Sequence, residues 1–154
     1  MMRVPIPISR GEEMKLKEFD VGQTFLTEPV VVTKEAILQF AEQNDPQYFH
    51  LDEEAAKDGP FGGLIASGFQ TLSIVWVEFI KKDILGRDCL GGMGMNQVVW
   101  RAPVYAGDEL RGVFTVSSKK QLDNFKGILN LDIQVINHEE QEVMSCDTMI
   151  MMKV

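Results

Sequence analysis

An aspartate and one of only two histidines lie five residues apart in the segment QNDPQYFHLD, residues 43–52. An imidazole titrates near neutral pH, and a neighbouring carboxylate can orient it or share the work of proton transfer. Asp45 and His50 could together position a water molecule and move one of its protons. A single short motif is weak by itself, so a second interpretation stays open. In that interpretation Asp45 caps a helix and His50 bonds a backbone carbonyl.

A second candidate element is IASGFQT, residues 65–71, which places Ser67 and Gly68 at the start of an apolar segment. If that segment is a helix, its first backbone N–H groups are unpaired and electropositive. Such groups can bind a carbonyl oxygen that becomes enolate-like, and Gly68 has no side chain to block the approach. The alternative is structural, with Ser67 as a helix cap and Gly68 as a packing glycine.

The surrounding sequence predicts the helices that would position these residues. Residues 34–44 form a helix with Thr33 as N-cap, ending before Pro46 because proline disfavours a helical residue in front of it. A short helix follows at 52–57 with Asp52 as its cap. The glycine-rich stretch 58–68 is irregular. Residues 69–84 are apolar almost all round, which is typical of a helix covered on several sides.

The second half of the chain predicts a sheet. After an extended lead-in and first strand over residues 19–33, four strands in hairpin order occupy 91–104, 109–122, 126–139 and 141–154. A single apolar helix before antiparallel strands must be covered by their sheet. The predicted fold is α+β, a single hot-dog domain over residues 19–154, in which a curved antiparallel sheet wraps a long central helix. Residues 1–18 form an N-terminal arm, and exposed sheet edges favour a homodimer.

Composition narrows the class of function. The chain has 154 residues and a net charge of −8. This charge argues against a nucleic-acid-binding protein and against a protein that binds membranes through a polybasic surface. We see no membrane span, no signal peptide and no metal-ligand cluster. Cys89 and Cys146 are in no metal-binding or redox motif, so we interpret them as free thiols in a reducing cytoplasm.

Three segments together resemble the MaoC-like dehydratase family, whose best-known members are the R-specific enoyl-CoA hydratases. They are NDPQYFHLDEEAA, FGGLIASGFQT and RAPVYAGDELRGVFTV, which begin at residues 44, 61 and 101. The resemblance implies a hot-dog fold and reversible addition of water to a trans-2-enoyl thioester, without metal or redox cofactor. It implies that Asp45 and His50 are the catalytic pair, with the Gly68 N–H as oxyanion donor. The substrate would be carried by coenzyme A or by an acyl carrier protein.

The sequence departs from that family where it reads N-D-P-Q-Y-F-H instead of G-D-x-N-P-x-H. Gln47 replaces the family asparagine and, with Ser67, is expected to shape the substrate pocket. Phe69 has two interpretations, as a wall of the acyl tunnel or as a core residue. A hot-dog acyl-CoA thioesterase and a non-catalytic acyl-thioester binding domain are the alternative functions.

Overall fold

The computed structural model describes residues 13–154 of the chain. These residues form four α-helices: α1 (Lys34–Asn44), α2 (Tyr48–Leu51), α3 (Glu53–Lys57) and α4 (Gly68–Lys81). Six strands accompany them: β1 (Thr24–Leu26), β2 (Val30–Val31), β3 (Cys89–Trp100), β4 (Glu109–Gln121), β5 (Lys126–Asn137) and β6 (Glu142–Lys153). All six strands belong to one antiparallel sheet that curves around α4. The predicted α+β hot-dog architecture is confirmed.

The order of strands in the sheet is β1-β4-β5-β6-β3, with β2 also pairing with β4. The four long strands are where the sequence predicts them, but the prediction that all four follow in hairpin order is wrong for the first. The chain leaving β3 stays beside β6, because the Arg101 and Ala102 N–H groups donate to the Val143 carbonyl. It then meets the glycine-rich stretch through an Ile65–Tyr105 bridge. β3 is therefore an edge strand.

The core lies between α4 and the inner face of the sheet. Val75 and Phe79 of α4 are fully buried, and the Phe79 ring stacks on Phe114 of β4 at 4.2 Å between centroids. Alternate residues of β5 complete this layer, among them Leu129, Leu131, Ile133 and Val135. Each such side chain contributes about 1.5–3 kcal/mol through removal from water. This packing fixes the position of α4 against the sheet.

The opposite face of α4 is not covered by any part of residues 13–154. Phe69, Val77 and Ile80 are 62%, 47% and 44% exposed, although the sequence predicts a helix covered on several sides. The helix also ends at Lys81, three residues before the predicted end. One apolar stripe of α4 therefore remains available for further contacts.

The predictions for the first helices are largely confirmed. The Thr33 hydroxyl accepts from the Ala36 N–H at 3.1 Å, and α1 ends at Asn44. The first strand is divided into the short β1 and β2. Residues 1–12 of the predicted arm lie outside the described residues, whereas Met14 and Leu16 from the same segment are buried in the core.

A bulge near the end of β3 decides which way its last side chains point. Asn96 pairs with Asp147 and Val99 pairs with Ser145, so β3 has one more residue than β6 in this interval. Gln97 in the bulge has a φ of 52°, in the left-handed region. Because one extra residue reverses the faces of a strand, Trp100 lies opposite the buried Met144 on the inner face.

Two carboxylates face each other on the outer surface of the sheet. Asp132 of β5 is the direct partner of Asp147 of β6, and the latter also accepts from the Asn96 side chain at 3.2 Å. Partial burial and the Asp147 charge raise the pKa of Asp132 above its ordinary 3.8. Like charges directly opposite each other destabilise a sheet.

Asp132→Asn should therefore stabilise the fold by about 0.5 kcal/mol at neutral pH. A raised carboxyl pKa means that the wild-type repulsion is present at neutral pH and is relieved as the pH falls and Asp132 takes up a proton. The gain should accordingly shrink when urea unfolding is repeated at about pH 4. An equal gain at both pH values would contradict the electrostatic cause.

Candidate active site

Asp45 and His50 are brought together by the break between α1 and α2. Asp45 is the C-cap of α1, and Pro46 follows it, so the chain leaves the helix there. α2, a single turn absent from the sequence prediction, carries His50. The Asp45 Oδ2 and His50 Nε2 atoms are 3.3 Å apart, with side chains only 16% and 5% exposed. The pair is thus close and largely shielded from water.

The orientation of His50 is set by a backbone carbonyl. Its Nδ1 lies 2.7 Å from the Ile65 carbonyl oxygen, which can only accept, so Nδ1 carries a hydrogen and donates it. In the neutral imidazole Nε2 then has a free lone pair directed towards Asp45. The structure confirms the predicted bond from His50 to a backbone carbonyl, and this bond also directs Nε2 towards Asp45.

Asp45 is held as a carboxylate. Burial alone would raise its pKa, but the donors from Gln47 and Ser67, with the charge of His50 whenever that imidazole is protonated, outweigh burial and lower the pKa below 3.8. The Gln47 Nε2 donates to Oδ1 at 2.8 Å, and the Ser67 hydroxyl donates to Oδ2 at 2.7 Å. Charge-assisted hydrogen bonds of this kind favour the ionised form.

Ser67 is the N-cap of α4, yet its side chain makes no capping hydrogen bond. Its hydroxyl donates to the Asp45 carboxylate instead, and the side chain is fully buried. Ser67 therefore reaches the site through Asp45 and forms no part of the cleft wall. The N–H groups in the first turn of α4, beginning with Gly68, are left without a cap from Ser67.

The Asp45–His50 pair and the start of α4 border one cleft with a volume of about 420 Å³. Five of the six residues proposed from sequence line it directly: Asp45, Gln47, His50, Gly68 and Phe69. Phe69 is thus a cleft residue and not a core residue. The other walls are mostly apolar, contributed by residues that include Phe61, Ile65, Ala66, Trp100, Pro103, Val104 and Val143. The cleft suits an apolar chain with a polar head beside the pair.

Sequence reasoning missed Phe61 and Val143 as cleft residues. Phe61 lies in the glycine-rich stretch and Val143 at the start of β6, so neither has a local pattern that distinguishes it. The sequence predicts no role in the site for the third motif, which begins at residue 101. Its Ala102, Pro103 and Val104 form one wall.

Within residues 13–154 no three His, Cys, Asp or Glu side chains converge as metal ligands. None of the helices in this range has the length and apolar character that a membrane span requires.

Residues 17–135 match the family described as MaoC like domain. The chain is 40% identical over 140 residues to the uncharacterized protein YdeM of Bacillus subtilis, covering 91% of this chain and 99% of that protein. It is 33% identical over 97 residues to 3-hydroxyacyl-thioester dehydratase Z of Mycobacterium tuberculosis, covering 62% of this chain and 64% of that protein.

Solved structures show the same architecture. The MaoC-like dehydratase from Rhodospirillum rubrum superposes with a TM-score of 0.82 at 30% identity, covering 91% of this chain and 97% of that one. R-hydratase PhaJ1 from Pseudomonas aeruginosa superposes with a TM-score of 0.76, covering 91% and 86%. The sequence identity between this chain and PhaJ1 is 22%, so this second similarity shows a shared fold only.

Ser67→Ala should raise the pKa of Asp45, because the carboxylate loses one of its donors. A ¹³C NMR titration of the Asp45 carboxyl carbon measures this directly. Since the folded pKa lies below 3.8, the stabilisation is present above that pH and is lost as the pH falls through the folded pKa. The variant should therefore lose about 1 kcal/mol near neutral pH and less in acid.

Ser73→Ala is the matched control for this substitution. Ser73 is an exposed serine of the same helix, and its hydroxyl donates to the Phe69 carbonyl at 2.9 Å. Its removal should leave the Asp45 titration unchanged. An unchanged Asp45 pKa in Ser67→Ala would mean that the Ser67 bond contributes nothing to holding the carboxylate.

Proposed function

The chain belongs to the MaoC-like domain family, and from this premise we propose that it adds water reversibly across the 2,3 double bond of an enoyl thioester. The observation that carries the proposal is the Asp45–His50 pair at 3.3 Å in a mostly apolar cleft that also contains Gly68. The name 3-hydroxyacyl-thioester dehydratase, borne by one relative, describes the reverse direction of this reaction.

The pair can position the reacting water. Asp45 as a carboxylate and His50 with a free Nε2 lone pair are both acceptors, so neither can donate to the other. A water that donates one hydrogen to each satisfies both acceptors and keeps a lone pair free for attack. The nucleophile is thereby oriented before the substrate arrives.

His50 is the proton carrier in this mechanism. The low pKa of Asp45 makes that carboxylate a weak base, whereas an imidazole is suited to proton transfer near neutral pH. The water oxygen bonds C3 of the substrate while Nε2 takes one proton. The Asp45 carboxylate stabilises the imidazolium, which then returns the proton to C2, so the elements of water are added.

The negative charge that builds up during attack needs its own partner. When the C2–C3 π electrons move towards the thioester, charge accumulates on the carbonyl oxygen as in an enolate. The Gly68 N–H at the start of α4 is proposed to donate to this oxygen, helped by the helix dipole. Phe69 and the apolar walls would hold the acyl chain, and Gln47 would border its reactive end.

The carrier of the acyl group is coenzyme A or an acyl carrier protein. Both present the same thioester through the same flexible arm, so the geometry of the cleft serves either. Asp45 could in principle aim a water at the carbonyl carbon instead, which would make a thioesterase. The two reactions give different products and are separated by experiment.

Asp45→Asn and His50→Ala should each lower the hydration of crotonyl-CoA by at least about 100-fold, since each removes a group that handles the water. Loss of absorbance at the enoyl-thioester band measures the rate. A free-thiol assay on the same samples detects hydrolysis. Branched and longer enoyl-CoAs, tested in parallel, would define the acyl group.

His138→Ala and Asp52→Asn are matched controls. His138 is the second histidine, exposed and away from the cleft, and Asp52 caps α3 by accepting from the Ala55 N–H at 3.0 Å. Both should keep the wild-type rate.

Release of thiol without loss of the double bond would replace the hydratase proposal with the thioesterase. No turnover on any substrate of the panel would count against an enzyme.

We further propose that two copies pair through the β3 edge and the exposed stripe of α4. β3 is an edge strand with apolar side chains that are one-third or more exposed and lie outside the cleft: Leu90, Met93, Met95, Val98 and Val99. The exposed apolar residues of α4 are Phe69, Val77 and Ile80, and Phe69 contacts β3 through Trp100. An unpaired, apolar edge of this length normally requires a partner, and antiparallel pairing of two β3 strands makes one continuous sheet.

Val77→Glu should convert the dimer to a monomer, because it places an unpaired charge in the centre of the apolar stripe. Light scattering coupled to size-exclusion chromatography measures the mass. Val21→Glu, at a 59% exposed position outside the stripe, should remain a dimer. A monomeric wild-type protein would contradict the proposal.

A further inference from the structure

We propose that Trp100 is a catalytic residue. Its indole Nε1–H is a second hydrogen-bond donor to the thioester carbonyl oxygen, in addition to the Gly68 N–H. The inference rests on the proposed function and adds a residue to its mechanism. It starts from the contact between the end of β3 and the start of α4.

Trp100 lies directly against Gly68. The indole Nε1 and Cε2 atoms occupy the space that a Cβ on residue 68 would need, so only glycine permits this approach. Nε1 is the indole atom nearest to that position. In a helix the Cα–Cβ bond tilts towards the N-terminus, which is also where the first N–H groups point. The indole N–H is therefore beside the end of α4 from which the Gly68 N–H emerges.

The indole is held in this place by the fold. The bulge around Gln97 turns Trp100 to the inner face of the sheet, towards α4. Phe69 packs against the indole edge-to-face, with centroids 5.6 Å apart and rings at 68°. Trp100 is 48% exposed and lines the cleft. Among the described residues no protein acceptor receives its N–H, which leaves the donor available to a bound molecule.

A second donor would stabilise the negative charge that develops on the thioester oxygen during the reaction. As water bonds C3, the π pair of the C2–C3 bond moves to C1–C2 and the carbonyl π pair moves onto oxygen. The oxygen gains nearly a full charge in a cleft with apolar walls, where each donor is worth more than in water. When His50 returns the proton to C2, that charge is withdrawn. A donor that acts on it strengthens the transition state more than the ground state.

The test separates the N–H from the ring. Trp100→Phe keeps a smaller aromatic wall and removes the donor, so kcat on crotonyl-CoA should fall by about 100-fold. Binding of the saturated butanoyl-CoA should change by less than about threefold, because the ground-state oxygen carries little charge. Trp76→Phe is the matched control. Trp76 packs on Phe79 and Phe114 in the core, so its replacement should leave kcat unchanged.

A second measurement needs no turnover. In a ¹⁵N-labelled protein, acetoacetyl-CoA, which forms an enolate readily, should move the Trp100 indole N–H resonance downfield and leave that of Trp76 in place. A Trp100→Phe enzyme with kcat within about threefold of wild type would overturn the inference while the hydratase proposal stood. So would an unmoved Trp100 resonance in a complex saturated with acetoacetyl-CoA. A wild-type enzyme that leaves every enoyl-CoA unchanged would remove both proposals together.

Discussion

One hydrogen bond, from the Ser67 hydroxyl to the Asp45 carboxylate, joins the two helix ends on which the site depends. Asp45 closes α1 and Ser67 opens α4, and the 2.7 Å contact between them fixes the distance between the carboxylate and the first turn of α4. The same bond has an electrostatic consequence at each end. It lowers the pKa of Asp45, and it takes the Ser67 side chain away from the cap, leaving the first-turn N–H groups to other acceptors.

His50 is positioned from the other side of the cleft by the glycine-rich stretch. Ile65 both donates its N–H to the Phe49 carbonyl at 3.0 Å and accepts from His50 Nδ1 at 2.7 Å. Two bonds from one residue thus tie the loop to α2. A buried imidazole anchored in this way keeps one ring nitrogen protonated and turns the other towards Asp45. The Asp45–His50 arrangement is therefore built from short elements held by several hydrogen bonds, with little freedom to reorganise.

The edge of the sheet contributes to the site at a local energetic cost. A non-glycine residue in the left-handed region, as Gln97 is, costs about 1–3 kcal/mol and persists only where the surrounding structure imposes it. Here the bulge carries Trp100 from the outer to the inner face, where it meets Gly68 and Phe69. The apolar side chains next to the bulge also form the proposed dimer face. A partner at that edge would border the cleft.

Local patterns in the sequence were sufficient for much of this description. Capping by Thr33, the break at Pro46, the apolar run of α4 and the alternation of the long strands depend on near neighbours, so their positions could be read directly. Asp45, His50 and Gly68 are candidates that short local motifs indicate, and the structure brings all three to one cleft. The pairing of β3 with β6, the Ser67–Asp45 bond and the position of Trp100 on Gly68 join residues 22 or more positions apart. Only the tertiary structure decided these contacts. A one-residue bulge reverses the faces of a strand, and a serine at a helix start can either cap that helix or bond a distant group. Neither choice is visible in the local sequence.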